Sequence, residues 1–253
     1  MTVRIFLVVI AAFVTTHTIA GDLKIRFEYE GPAFEPAPID VRRGVAFCAN
    51  QNLIDETLIV NPKNKGIKNV VVYVYTGRGG AKIPPVEPSS DTRALAYQNC
   101  RFAPHILTMQ AGDTLKIINR DPVGHNANLN FLRNGTSGRM IPRNNAEEIS
   151  LDEAEPAPIP VECNIHPWMK AYVVILDHPY VGVSNDDGDL VIEGLPEENL
   201  TFRVWVEAAS GALTSVRING VEQHWSRNRF EYPIKAGEND MGTVTLTADQ
   251  LAR

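Results

Sequence analysis

Between Val161 and Leu176 the chain reads VECNIHPWMKAYVVIL. Its second half, from Lys170, is a β-branched apolar run of the kind that forms a strand. Its first half holds a cysteine, a histidine and a methionine at Cys-x-x-His-x-x-Met spacing, directly before that strand. A thiolate, an imidazole and a thioether in one short loop form a soft donor set. Thioether sulfur is a poor ligand for magnesium, calcium or most zinc sites and a good one for copper. A copper centre with two histidines, one cysteine and a weak axial methionine needs one more imidazole than this loop contains. His125, in INRDPVGHNANL, is the candidate, because it follows an expected strand and a proline turn.

The rest of the chain carries the same strand signal. In DLKIRFEYEG, Leu23, Ile25, Phe27 and Tyr29 alternate with Lys24, Arg26, Glu28 and Glu30, the period-two pattern of a half-buried strand. NVVVYVYTG reads as a central strand, and DTLKIINRD and KAYVVILD as two more. Helical periodicity is almost absent, and 17 prolines and 18 glycines punctuate the sequence. The class is therefore all-β, sandwich or barrel. GRGGAKIPPVEPSSD (77–91) and LDEAEPAPIP (151–160) read as proline-rich surface loops rather than linkers. A domain boundary is expected near Asp177, beyond which short strands alternate with an Asp-Gly turn and a GLP turn.

Bulk properties limit the function. The 253 residues carry a net charge of −6 without a basic cluster, which argues against nucleic-acid binding. Arg4, the apolar run Ile5–Val14 and the small residues that end at Ala20 match a secretory signal, 1–20, too short to span a bilayer. Export to the periplasm or beyond is expected, with no membrane span once the signal is removed. Of the three cysteines, Cys48 and Cys100 have no metal-ligating neighbours and read as a structural disulfide, which leaves Cys163 over. Closing that loop contributes about 4 kcal/mol on the chain-entropy view.

CNIHPWM, with proline directly after the histidine, resembles the ligand loop of the amicyanins, small blue-copper cupredoxins. FAPHILTMQAGDTLKIINRDPVGHN is similar to the preceding cupredoxin strands and first histidine. The resemblance covers about 102–177 and extends loosely back to Gly21. It implies a cupredoxin-like Greek-key sandwich over 21–177, with His125, Cys163 and His166 as in-plane ligands and Met169 as the axial ligand of one type 1 copper. It also implies a backbone amide at Asn126 that supports the thiolate from outside the ligand set. Asn164 stands where such loops usually carry serine or threonine, an amide in place of a hydroxyl. VSNDDGDLVIEGLPEENLTFRVWVE resembles the transthyretin-like, carboxypeptidase regulatory-type sandwiches and assigns a second small β-sandwich domain to 178–253.

These readings lead to an exported single-copper electron carrier with a weak, transient redox partner protein. The alternatives are a copper carrier or storage module, or a structural β-protein. If His166 reaches the surface, Pro167 and Trp168 form a docking patch; core packing is the other reading of Trp168. Enzymatic activity is not expected: copper nitrite reductases and oxidases need further histidine clusters, and only six histidines exist. No Gly-rich phosphate loop, nucleophile elbow or HExxH pattern is present. Among the other histidines, His17 lies in the signal, His105 reads as packing or bonding a backbone carbonyl more readily than as a ligand, His178 marks the domain junction, and His224 reads as surface. Met109 and Met140 read as core fillers.

Overall fold

The computed structural model describes residues 20–41 and 46–251. The expected signal segment lies outside these residues except for Ala20, which opens the first strand. The molecule is all-β, with two sandwiches packed against one another. In one, a five-stranded sheet runs Thr136–Ile141, His125–Asn130, Ile159–Glu162, Lys170–Leu176, Ile106–Gln110 in spatial order. It faces a four-stranded sheet of Ala146–Ser150, Thr114–Asn119, Thr92–Gln98 and Arg101–Ala103. Leu95, Tyr97, Phe102, Leu115, Ile117, Leu129, Val161 and Val173 fill the space between.

The second sandwich joins the two ends of the chain. Ala20–Glu30 lies between Asp189–Pro196, antiparallel to it, and Gly237–Thr247, parallel to it. As its alternation requires, Leu23, Ile25, Phe27 and Tyr29 are buried. Opposite it, Val71–Val74 sits between Val181–Val183 and Asn199–Trp205. The expected division into 21–177 and 178–253 is therefore not the division the sheets make. Residues 20–30 and 58–74 share one core with 190–251, whereas Cys48, Leu53 and the segment 95–175 share the other. Local patterning marks a strand but carries no record of which distant strand it pairs with, so the chain's return to the second sandwich has no sequence signature.

Two continuous apolar runs explain how the sandwiches meet. In Val71–Val74 every residue is buried: Val72 and Val74 enter the core of the second sandwich, while Val71 and Tyr73 point the other way. In Lys170–Leu176, Ala171, Val173 and Ile175 enter the first core, while Tyr172, Val174 and Leu176 meet Val71, Tyr73 and Ile106. A strand covered on both faces reads as an unbroken hydrophobic run rather than as an alternation. Both runs occupy such positions.

The punctuation is partly as expected. Gly188 in the Asp-Gly turn has φ +82, and a Cβ there would run into the Phe27 carbonyl. The turn joins Val181–Val183 to Asp189–Pro196, which lie in different sheets, so it is a corner between layers rather than a hairpin. The GLP residues do not form the following turn; they lie within Asp189–Pro196, with Gly194 at φ +68. The Cys48–Cys100 disulfide is formed, with the Cα atoms 5.4 Å apart.

In the proline-rich segment 151–160, Glu155 is buried and its carboxylate organises the loop beyond His125–Asn130. It accepts hydrogen bonds from the backbone N–H groups of Leu132, Arg133 and Asn134 and from the Asn134 side chain. Burial alone would raise its pKa, but donors from Arg133, Asn134 and Leu132 outweigh it and hold the carboxyl below its ordinary value. Such a group stabilises the fold above its unfolded pKa, and the contribution disappears as pH falls through its folded pKa. Glu155→Gln should therefore cost about 1–3 kcal/mol in urea denaturation at pH 7, with the difference from the unsubstituted protein shrinking below about pH 4.

Candidate metal centre

The loop 163–169 connects two adjacent antiparallel strands. Ile159–Glu162 pairs with Lys170–Leu176, with Glu162 opposite Lys170. Two backbone bonds close the seven residues between: Cys163 N–H to Met169 O (3.1 Å) and Met169 N–H to His166 O (2.9 Å). On its other side Ile159–Glu162 pairs with His125–Asn130, Glu162 lying opposite Asn128. This register brings the start of the histidine strand alongside the cysteine.

Three donor atoms converge inside the sandwich. His125 Nδ1 lies 3.0 Å from His166 Nδ1, and Cys163 Sγ lies 3.7 Å from His166 Nδ1. His125, Cys163 and His166 are all buried, and their donor atoms lie within 4.8 Å of one another. Met169 is buried in the same core. A second group, Cys100, Asp121 and His125, also meets this distance condition, but Cys100 is cross-linked and has no thiolate to offer.

Hydrogen bonds around the cluster set its protonation. Asp121 Oδ2 lies 2.8 Å from His125 Nε2, and the carboxylate also accepts from the backbone N–H groups of Asn99 (2.7 Å) and Cys100 (2.9 Å). Burial would raise the Asp121 pKa; His125 and these two amides outweigh it and lower the pKa. An ionised carboxylate only accepts, so Nε2 of His125 donates to it and Nδ1 is left to face the cluster. This carboxylate–imidazole pair is the arrangement that orients metal-binding histidines. Burial lowers the His125 pKa, but Asp121 and Cys163 outweigh it and the net shift is upward. Cys163 is shifted down: burial opposes the thiolate, while His125 and the Asn126, His166 and Ile165 amides favour it more strongly. Burial, with the neighbouring His125, lowers the pKa of His166 and so favours its neutral ring. Thiolate and neutral imidazole are the forms that bind soft metal ions.

Asn126 contributes twice. Its backbone N–H points at Cys163 Sγ (3.4 Å), and its Oδ1 accepts from the Asn164 backbone N–H (3.2 Å). Asn164 itself is exposed and takes part through its main chain. The contact between loop and strand at that position therefore runs from the loop's backbone amide to the strand side chain and does not use the Asn164 side chain.

His166 does not reach the surface: it is only 2% exposed. Trp168 lies against it, ring centroids 5.2 Å apart, and donates its indole N–H to the Cys100 carbonyl at 3.1 Å. Trp168 is therefore half-buried packing, while Pro167 is exposed. The exposed apolar side chains near the loop are Ile165, at 47%, and Met140, which lies opposite Asn126 in register and is not a core filler. Met109 is buried. His105 lies outside the cluster, its Nε2 2.7 Å from Glu207 Oε2. His178 bonds the Val74 carbonyl where the chain passes to the second sandwich, and His224 is exposed.

Asp121 and Tyr97 were not singled out in the sequence. Asp121 was detectable as an acid four residues before the candidate histidine; Tyr97 had no signal. The Tyr97 ring stacks on His125 with centroids 4.6 Å apart and planes 17° from parallel. Among the described residues its buried hydroxyl has no hydrogen-bond partner, and burial, then the charge of Cys163, push its pKa up.

No family model and no curated relative matches the chain. Solved structures resemble part of it. A Cu(I) methionine-to-alanine mutant of amicyanin is 22% identical, covering 36% of this chain and 85% of that one, with a TM-score of 0.30. An oxidised proline-to-alanine mutant of amicyanin is 23% identical over 35% of this chain and 86% of that one, TM-score 0.30. The copper-containing nitrite reductase of Thermus scotoductus SA-01 is 20% identical, covering 41% of this chain and 25% of that one, TM-score 0.30.

The unpartnered Tyr97 hydroxyl gives an outcome opposite to that of most core substitutions. Tyr97→Phe should leave stability unchanged or raise it by up to about 1 kcal/mol, because it removes a buried polar group that no described residue bonds. Tyr97→Ala, which removes the ring from against His125, should cost about 3–5 kcal/mol. Parallel urea titrations of the two variants test this.

Proposed function

We propose that the protein binds one copper ion through His125, Cys163, His166 and Met169 and carries single electrons. The observation behind this reading is the convergence of two imidazole nitrogens and a favoured thiolate within a closed apolar sandwich, beside the buried Met169. Copper held by such a set supplies a one-electron couple. The chain's own residues keep the donors at fixed spacing: one strand carries His125, the two strands beside it hold the ends of the loop 163–169, Asp121 and Tyr97 hold His125, and Asn126 holds the thiolate and the loop behind it. Donors held by so many contacts suit electron transfer, because both oxidation states must be accepted with little movement.

Two further observations favour a carrier over an enzyme. His105, His178 and His224 are dispersed, each with other surroundings. The exposed Ile165 and Pro167 on the ligand loop offer a small apolar contact suited to a weak, transient redox partner. We assign the protein to the periplasm or the secreted fraction from the signal-like segment 1–20, and among the described residues no helix is long and apolar enough to cross a membrane. The transthyretin-like resemblance of 178–253 is read as a structural role for that part of the second sandwich, whose other strands come from 20–30 and 58–74.

Titration of the purified protein with Cu(II) should produce an intense visible thiolate-to-copper band that saturates at one equivalent and is absent in Cys163→Ser. A copper-loaded but colourless protein would refute the type 1 reading. A loaded protein without a reversible couple in voltammetry would instead identify a copper carrier.

A further inference from the structure

The outer supports of the two imidazoles meet at a single residue, Cys100. Thr92–Gln98 and Arg101–Ala103 are joined by a two-residue turn, Asn99 and Cys100, with Gln98 paired to Arg101. Both turn residues have positive φ, 56° and 54°. Such two-residue hairpins require positive φ at both centres, and asparagine and glycine supply it most readily. A cysteine rarely adopts it. Here Cys100 is tied by its disulfide to Cys48 in the short helix Ala46–Ala49.

The consequence of that backbone shape lies in where the two polar groups of Cys100 point. Its N–H, together with that of Asn99, is directed at the Asp121 carboxylate, which in turn holds His125 Nε2. Its carbonyl accepts the Trp168 indole N–H, and the Trp168 ring lies against His166. One route therefore runs Cys100–Asp121–His125 and another Cys100–Trp168–His166. Asp121, Cys100 and His166 are buried and Trp168 is half-buried, so few alternative hydrogen-bond partners compete.

We infer that the Cys48–Cys100 cross-link is a positioning element of the metal centre: it fixes the backbone of Cys100 so that this one residue orients both imidazoles. The inference rests on the copper reading above. It differs from simple stabilisation of the fold. A cross-link that acts only by closing a loop changes unfolding but leaves the geometry of a folded site unchanged. A positioning cross-link changes metal affinity and spectrum while the protein remains folded, and its effect passes through Asp121 and Trp168.

The test compares the unsubstituted protein, Cys48→Ala/Cys100→Ala, Asp121→Asn, Trp168→Phe and the combinations of the cysteine pair with each of the other two. Each is titrated with Cu(II), and with Co(II) as a second probe. Loss of an outer partner of a metal-binding histidine typically weakens binding 10–100-fold. The folded cysteine-pair variant should lose affinity by about that factor and show a shifted visible band. Asp121→Asn should lose a similar factor, and Trp168→Phe, which loses the N–H but keeps an aromatic ring against His166, less. Combining the cysteine pair with Asp121→Asn should add less than the product of the separate losses, because both act on one route. A folded cysteine-pair variant with unchanged affinity and band would overturn the inference, as would strictly multiplicative losses.

Two further readouts keep the outcome decisive. If the cysteine-pair variant does not fold, Trp168→Phe with the cross-link intact is the deciding variant. Unchanged affinity and band in it then overturn the half of the inference that concerns His166, and Asp121→Asn decides the half that concerns His125. Nitrogen-15 NMR of the imidazoles in metal-free protein is independent of copper: the Nε2–H form of His125 should dominate with the cross-link present, lose population in the cysteine-pair and Asp121→Asn variants, and be unchanged in Trp168→Phe. If the unsubstituted protein takes up no Cu(II) while the NMR difference appears, the copper reading fails and the positioning stands. Copper uptake with no change in either readout has the opposite meaning.

Discussion

The strand Lys170–Leu176 is buried on both faces, and the architecture depends on that double burial. Its Ala171, Val173 and Ile175 close the core of the first sandwich, and its Tyr172, Val174 and Leu176 form the contact with the second. It also pairs on both edges, with Ile159–Glu162 and, in parallel, with Ile106–Gln110. A strand constrained in four directions has a single allowed register, since a slip of one residue would exchange the side chains of the two cores. The donor loop is anchored directly to it at Met169 and Lys170. The placement of the loop thus follows from the packing of both sandwiches rather than from the loop's own conformation.

A band of polar contacts lies alongside this apolar junction. Glu207, from the second sandwich, receives Tyr172 Oη–H at 3.0 Å, lies 2.7 Å from His105 Nε2 and pairs with Lys170 at 3.3 Å. Burial would raise the Glu207 pKa, but His105, Lys170 and Tyr172 outweigh it and lower the pKa. Burial pushes the Tyr172 hydroxyl up to about 12. A largely covered carboxylate with three partners is tolerated because its acceptor sites are filled. The same bonds fix how the second sandwich meets the strand that carries the ligand loop. One of them is made by Lys170, the residue next to Met169, so the contact between the sandwiches lies close to the candidate centre.

Much of the fold was legible because strands declare themselves locally. The alternation in Ala20–Glu30 and the unbroken runs in Val71–Val74 and Lys170–Leu176 each match the burial found there. The two runs declared strands, but that each is covered on its second face by the other sandwich was settled only by the packing. The candidate site was legible to a similar depth: the soft residue types and their spacing identified the loop, and the strand-end position identified His125. Asn126 was anticipated through its amide, but the bond from its side chain to the Asn164 amide was not.

What the sequence by itself determined was residue chemistry and facing: which segments are strands, which side chains go inward, which cysteine is left unpaired, and which loop holds soft donors. These follow from short-range periodicity and from counting. Only the tertiary structure decided that residues 20–30 leave the segment that follows them to pair with 189–196 and 237–247. It alone decided that Trp168 covers a buried His166 and that Asp121, Cys100 and Tyr97 surround His125. The physical reason is common to these cases. A period of two fixes the direction of a side chain relative to its own strand, whereas its partner is fixed by pairing between strands far apart in the chain, selected by the summed packing of whole sheets.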